Sequence, residues 1–192
     1  YFQDYFGPSN IHYALWTSGY TIITECDDTA AWTSNGALGV EDEWSGFPDK
    51  DYYVYSKAGA VLTPLWMDYH FGAMDFSSPI KYLNFYAATN TTGDTGVAAI
   101  GDTGGKWAIK TITFGTGGKW TGFSVDLDTF TYPAGFDRTN VDKISFNLGG
   151  TAHATDVLGI DFITISKYRL TGGQEFRYYD GSEAYNYMYY GY

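Results

Sequence analysis

The chain has 192 residues, enough for one substantial core and too few for two ordinary domains with linkers, so a single domain is expected. Aromatic residues make up 20% of it (19 Tyr, 13 Phe and 6 Trp), and 24 Gly are scattered between short apolar runs, a mixture that favours many strands joined by tight turns. The 22 acidic against 11 basic residues leave a net charge of -11, which repels phosphate backbones and anionic membrane surfaces and argues against nucleic acid as a partner. A single cysteine, Cys26, excludes an internal disulfide and a Cys-based zinc cluster, and it reads as a buried strand residue rather than a nucleophile. No run approaches the length of a membrane-spanning apolar segment, so membrane insertion is not expected.

Residues 1–19 hold Gly7-Pro8 and aromatics without a clear period, which predicts an extended N-terminal arm. Tyr1-Phe2-Gln3 also matches the remnant of a protease-cleaved tag, so the opening residues carry little functional weight. Residues 20–168 have an all-β rhythm, with runs rich in Val, Ile, Thr, Tyr and Phe separated by Gly, Asn, Asp or Pro. Strands are predicted near residues 20–26, 52–56, 59–63, 66–71, 81–88, 96–100, 106–114, 120–127, 142–148 and 157–168, a number that suits an antiparallel sandwich of two sheets. In several runs one face is apolar and the other wetter: Leu83, Phe85 and Ala87 against Tyr82, Asn84 and Tyr86; Phe123, Val125 and Leu127 against Ser124 and Asp126; Ile144, Phe146 and Leu148 against Ser145 and Asn147.

Thr103-Gly104-Gly105-Lys106-Trp107 recurs as Thr116-Gly117-Gly118-Lys119-Trp120, and both copies read as hairpin turns leading a Trp into a strand. A paired aromatic ligand site is the sharper alternative. Residues 169–192 are far too aromatic for a flexible linker. Tyr178, Tyr179, Tyr185, Tyr187, Tyr189 and Tyr190 predict a tail that docks, on a neighbouring subunit or back on the sandwich.

From about Thr24 to Lys167 the order of features resembles the jelly-roll carbohydrate-binding modules of the galactose-binding-like class. The residues that carry it are Glu25-Cys26-Asp27-Asp28 followed by Trp32; Met74-Asp75-Phe76-Ser77 leading into Tyr82-Leu83-Asn84-Phe85-Tyr86; the strand from Trp120 to Leu127; and Ile160-Asp161-Phe162-Ile163-Thr164-Ile165. The same sandwich also serves in phage and viral fibre and decoration proteins, so fold alone does not select a role. The resemblance implies a structural calcium ion joining the first and last strands, with Glu25, Asp27 and Asp161 as its matching ligands.

A candidate binding surface comes from Trp66-Met67-Asp68-Tyr69-His70-Phe71, whose alternation puts Trp66, Asp68 and His70 on one face and Met67, Tyr69 and Phe71 on the core side. Beside Tyr82, Asn84 and Tyr86 the outward trio would give aromatic platforms with hydrogen-bonding groups between them, the combination that sugars require; the alternative is that Trp66 is core and the polar groups are ordinary sheet surface. No catalytic residue is assigned. The carboxylates single out no pair, His12, His70 and His153 lack metal-ligand spacing, and neither a Gly-x-Ser-x-Gly elbow nor a phosphate loop occurs. Asn90-Thr91-Thr92 is an N-glycosylation sequon in an expected turn.

Two functional readings follow. One is a non-catalytic extracellular or virion-exposed module that binds glycans through an exposed aromatic face. The other is a structural subunit of a virion or extracellular filament, a homo-oligomer assembled through the arm and the Tyr-rich tail.

Overall fold

The computed structural model describes residues 20–42, 52–115, 117, 120–167 and 169. They form a two-sheet antiparallel β-sandwich in which one short 3-10 turn, Leu127–Thr129, is the helical element among the described residues. The strands are β1 (Tyr20–Thr24), β2 (Trp32–Ser34), β3 (Ala37–Asp42), β4 (Tyr52–Lys57), β5 (Leu65–Met74), β6 (Tyr82–Thr89), β7 (Thr95–Asp102), β8 (Trp107–Thr113), β9 (Thr121–Asp126), β10 (Val141–Leu148) and β11 (Val157–Ser166). Sheet I runs β3-β4-β11-β6-β9 and sheet II runs β2-β5-β10-β7-β8. β11 gives one edge to β6 and divides the other, β4 pairing with its first half and β1 with its second. Closing the first strand against the last in this way is the jelly-roll arrangement.

The alternation read from the sequence builds the core. Leu83, Phe85 and Ala87 of β6 and Ile144, Phe146 and Leu148 of β10 all point inward and are buried. The Phe146 ring of sheet II lies 4.7 Å from the Phe85 ring of sheet I, which stacks in turn on Phe123 of β9 at 5.0 Å. These rings fix how the two sheets meet, because burial of large aromatics is the main apolar contribution such a core receives. Met67, Tyr69 and Phe71 also face this core, Met67 completely buried and the other two packed against it.

β11 changes parity midway. Leu158 and Ile160 face the core, as do Ile163 and Ile165, so one residue must be absorbed between them. A bulge does this: Phe162 has φ 45, and the pairing of β11 shifts register against both β6 and β1 at this point. Asp161 and Thr164 are thereby both turned to the outer face of sheet I. Cys26, just after β1, is buried as expected and has φ 68. Burial pushes its thiol well above the usual range, and the Asp161 charge adds to the effect.

Three expectations change. Residues 59–63 form no strand but a loop, tied to residues 151–154 by the Leu62–Ala152 bridge and by the Gly59 amide, which donates to the Ala154 carbonyl (3.0 Å). β2 and β3 are additional strands where none is predicted: β2 has three residues, too short for a period to show, and ends on the Ser of a Ser-Asn-Gly step. The Ser-Asn-Gly step crosses from sheet II to sheet I, and Ser34 Oγ meets Ser56 Oγ at 2.6 Å across the gap. The two Thr-Gly-Gly-Lys-Trp copies also part company. The first is the β7–β8 hairpin turn, with Gly105 at φ 80, whereas the second falls between β8 of sheet II and β9 of sheet I, strands that do not pair; its Thr116, Gly118 and Lys119 lie outside the described residues.

Candidate functional site

The outer face of sheet II brings chemistry from several strands into register. Pairing places Thr33, Asp68, Ser145, Ala99 and Ile109 in one row across the five strands. On one side lies the row Trp66, Asn147, Val97 and Thr111; on the other lies His70, Lys143, Gly101 and Trp107. Neighbouring strands sit about 4.8 Å apart, so each row is a continuous line of side chains. Trp66, Asp68, Lys143, Ser145, Asn147 and Trp107 are half-buried, and His70 is exposed. Ile109, 46% exposed, is one of the large apolar side chains the described residues leave open to solvent.

Trp107 lies flat on the sheet because its strand partner is Gly101. A Cβ added there would meet the indole at 3.1 Å, tight enough to lift the ring. Lys143 Nζ stands 5.7 Å from the centroid of that ring. Asp68 bonds to Ser145, and burial holds its carboxyl above the usual carboxylate range, with His70 and Lys143 drawing it partly back. Thr33 Oγ1 and His70 Nε2 are 3.4 Å apart. Two indoles therefore lie at opposite corners of a surface whose centre offers a carboxyl, an amide, hydroxyls, an imidazole and an ammonium.

Tyr82, Asn84 and Tyr86 are not beside this trio. They point outward from β6, which belongs to sheet I, while β5 belongs to sheet II, so the single surface expected from the sequence is divided between opposite sides of the sandwich. Alternation reports which face of a strand is wet but not which sheet the strand joins. On sheet I the polar groups are also engaged with one another. Asn84 Nδ2 donates to Ser166 Oγ (2.9 Å) and to Thr164 Oγ1 (3.3 Å), and Ser124 Oγ donates to Asn84 Oδ1 (2.7 Å). Asn84 is 1% exposed and Tyr86 5%, so neither presents a free amide or a ring face. Trp120 is on this side too, with its ring 5.0 Å from Tyr53 and against Gly159, which puts the two repeated Trp residues on opposite faces and removes a paired Trp site.

Asp161 is buried on β11 beside Cys26, Glu25 is half-buried and Asp27 is exposed. The pairing of Thr24 with Ile163 brings their two segments together, but among the described residues no three His, Cys, Asp or Glu side chains gather as a group able to hold a metal ion. Tyr178, Tyr179, Tyr185, Tyr187, Tyr189 and Tyr190 lie outside the described residues, as do His12 and the N-terminal arm. The sequon residue Asn90 is exposed, yet its amide is used: Nδ2 donates to the Thr155 carbonyl (2.9 Å) and Oδ1 accepts from Val157 N (2.9 Å).

Trp107, Lys143, Ser145 and Asn147 are the members of the sheet II surface that sequence reasoning did not gather. The wet face of β10 was legible from its alternation; its pairing with β5, which joins residues far apart in the chain, was not. Among the described residues no helix is long and apolar enough to cross a membrane.

No protein-family model matches this chain, and no curated protein matches it in sequence. Solved structures do. A family 11 carbohydrate-binding module from Clostridium thermocellum, solved in complex with a β-1,3-1,4-mixed-linked tetrasaccharide, is 16% identical over 78% of this chain and 96% of that one, with a TM-score of 0.53. A family 30 carbohydrate-binding module of a cellulosomal cellulase of the same organism is 15% identical over 77% of this chain and 96% of that one, with a TM-score of 0.58. An exo-β-agarase is similar over 78% of this chain but only 25% of its own, at 14% identity and a TM-score of 0.60. At these identities the likeness establishes the fold: this chain has the jelly-roll sandwich of a carbohydrate-binding module.

Proposed function

We propose that this protein is a non-catalytic glycan-binding module, displayed outside a cell or on a virion, and that it reads its ligand on the outer face of sheet II. The observation that carries the reading is the register that sets Trp66, Asp68 and His70 among Asn147, Ser145, Lys143 and Trp107. Sugar rings present C–H faces that pack on indoles, and their hydroxyls need acceptors and donors spaced between those rings. Half-buried side chains with capacity left for a ligand meet that need, and the engaged network on sheet I does not. The structural neighbours named as carbohydrate-binding modules support the reading, as does the absence of a singled-out acid and base pair in the sequence.

The test is calorimetric titration of the full chain against a panel of neutral oligosaccharides, beginning with the mixed-linked β-glucan tetrasaccharide. A member of the panel is expected to bind, and Trp66→Ala is expected to weaken it by about tenfold or more, roughly 1.4 kcal/mol or above, with the melting temperature nearly unchanged. A panel without binders, or a Trp66→Ala protein that binds like the wild type, would sink the proposal.

Calcium remains a proposal drawn from the resemblance, with Glu25, Asp27 and Asp161 as ligands. Bound to the native state alone at about 100 times its Kd, it would add about 2.7 kcal/mol of stability, so the melting temperature in calcium should exceed that in chelator by several degrees. Equal melting temperatures remove these residues from the site.

A further inference from the structure

The edge strand of sheet II, β8, and the edge strand of sheet I, β9, contribute to one shared concavity, beside the point where Thr131 bridges to Ile109 of β8. A cleft of about 490 Å³ lies between them, lined by Tyr82, Lys110, Thr113, Ser124, Thr129 and Arg169 among others. That volume is within the range of small-ligand sites.

Two features set this cleft apart in a protein of net charge -11. Lys110 occupies an inward-facing position of β8, between buried Ala108 and buried Ile112, where an apolar residue would be expected. Arg169 reaches the same cleft from beyond the end of β11. The carboxylate in the lining, Asp126, has Lys81 Nζ at 3.8 Å, so its charge is shared outside the pair. Neither Lys110 nor Arg169 forms an ion pair or hydrogen bond among the described residues. Two cations converging on one concavity repel each other, and an anion between them would relieve that repulsion with charge-assisted hydrogen bonds.

An inward Lys also blunts an edge strand against pairing with other chains. That role asks for one charge on β8 and does not account for the second cation, nor for Tyr82 in the same lining. We propose that the β8–β9 cleft is a second ligand site, for an anionic sugar residue whose carboxylate or sulfate sits between Lys110 and Arg169 and whose ring lies against Tyr82. The site is on a different side of the molecule from the sheet II surface and does not rest on that proposal. The overall acidity repels polyanions at long range, so the fitting ligand carries isolated acidic residues in an otherwise neutral glycan.

The experiment titrates the full chain, followed by NMR, with a disaccharide bearing one glucuronate, a sulfated disaccharide and the neutral parent disaccharide. The expected result is shifts at Lys110, Arg169 and Tyr82, with at least one anionic probe binding about tenfold tighter than the neutral one. Preference between the two anionic probes identifies the carboxylate or the sulfate as the group recognised. Lys110→Met and Arg169→Gln should each weaken the anionic probe several-fold, and the pair should abolish the preference over the neutral sugar, with melting temperatures unchanged. Trp66→Ala should leave anionic binding intact. Equal binding of anionic and neutral probes, full binding by the double variant, or loss with Trp66→Ala would overturn the site.

Discussion

Phe146→Ala is expected to destabilise the protein by about 3–5 kcal/mol, which for a chain of this size is a fall in melting temperature of roughly 10 °C or more. Phe146 is fully buried at the centre of β10, the middle strand of sheet II. Its ring meets Phe85 of sheet I at 4.7 Å, Phe85 stacks on Phe123, and Phe123 meets Phe114 edge-on at 6.1 Å. Truncation thus removes both the transfer free energy of the ring and the support of the next ring in the series, and sheets held by hydrogen-bonded ladders cannot collapse far enough to fill the hole. Phe146→Leu keeps most of the volume and should cost well under half as much. Urea unfolding of the three proteins measures both values. A loss below about 1 kcal/mol for Phe146→Ala would mean that the two sheets do not meet through these rings.

The strand rhythm that placed Phe146 in the core was legible because period-2 alternation in β6, β9 and β10 is produced directly by the pleat. The core-facing side of Met67, Tyr69 and Phe71 followed from the same parity in β5. Parity is a local property, and three local failures show its limit. β2 is too short to display it, β11 breaks it with the bulge at Phe162, and residues 59–63 imitate a strand while their backbone turns through Gly59 at φ 66. The expected adjacency of β5 and β6 differs for another reason. β5 and β6 are consecutive and both carry aromatic and polar residues on their wet faces, so they read as neighbours; the chain between them crosses the sandwich, and the true neighbour of β5 on its far side is β10. Trp66, Asp68 and His70 share one face of β5 in sheet II while Tyr82, Asn84 and Tyr86 belong to sheet I, since strand partnership is decided by contacts distant in sequence.

That division of the surface makes Asn84→Ala the variant that separates a structural polar network from a ligand-binding one. Asn84 is 1% exposed, and its amide links Thr164 and Ser166 of β11 to Ser124 of β9 across the strand between them. Thr164 and Ser166 are buried as well, so removing the amide takes a partner from several buried hydroxyls at once; lost hydrogen bonds of this kind cost about 1–3 kcal/mol each at most, and linked ones reinforce each other. Asn84→Ala is expected to lose about 2–4 kcal/mol of stability, with glycan affinity at the sheet II face unchanged when measured well below the lowered melting temperature. Trp66→Ala should show the converse pattern, weak binding on a stable fold, because a half-buried ring on an outer face contributes little to the core. If Asn84→Ala instead kept its stability and lost the glycan, the amide would be serving the ligand, and the reading surface would have to be moved to sheet I.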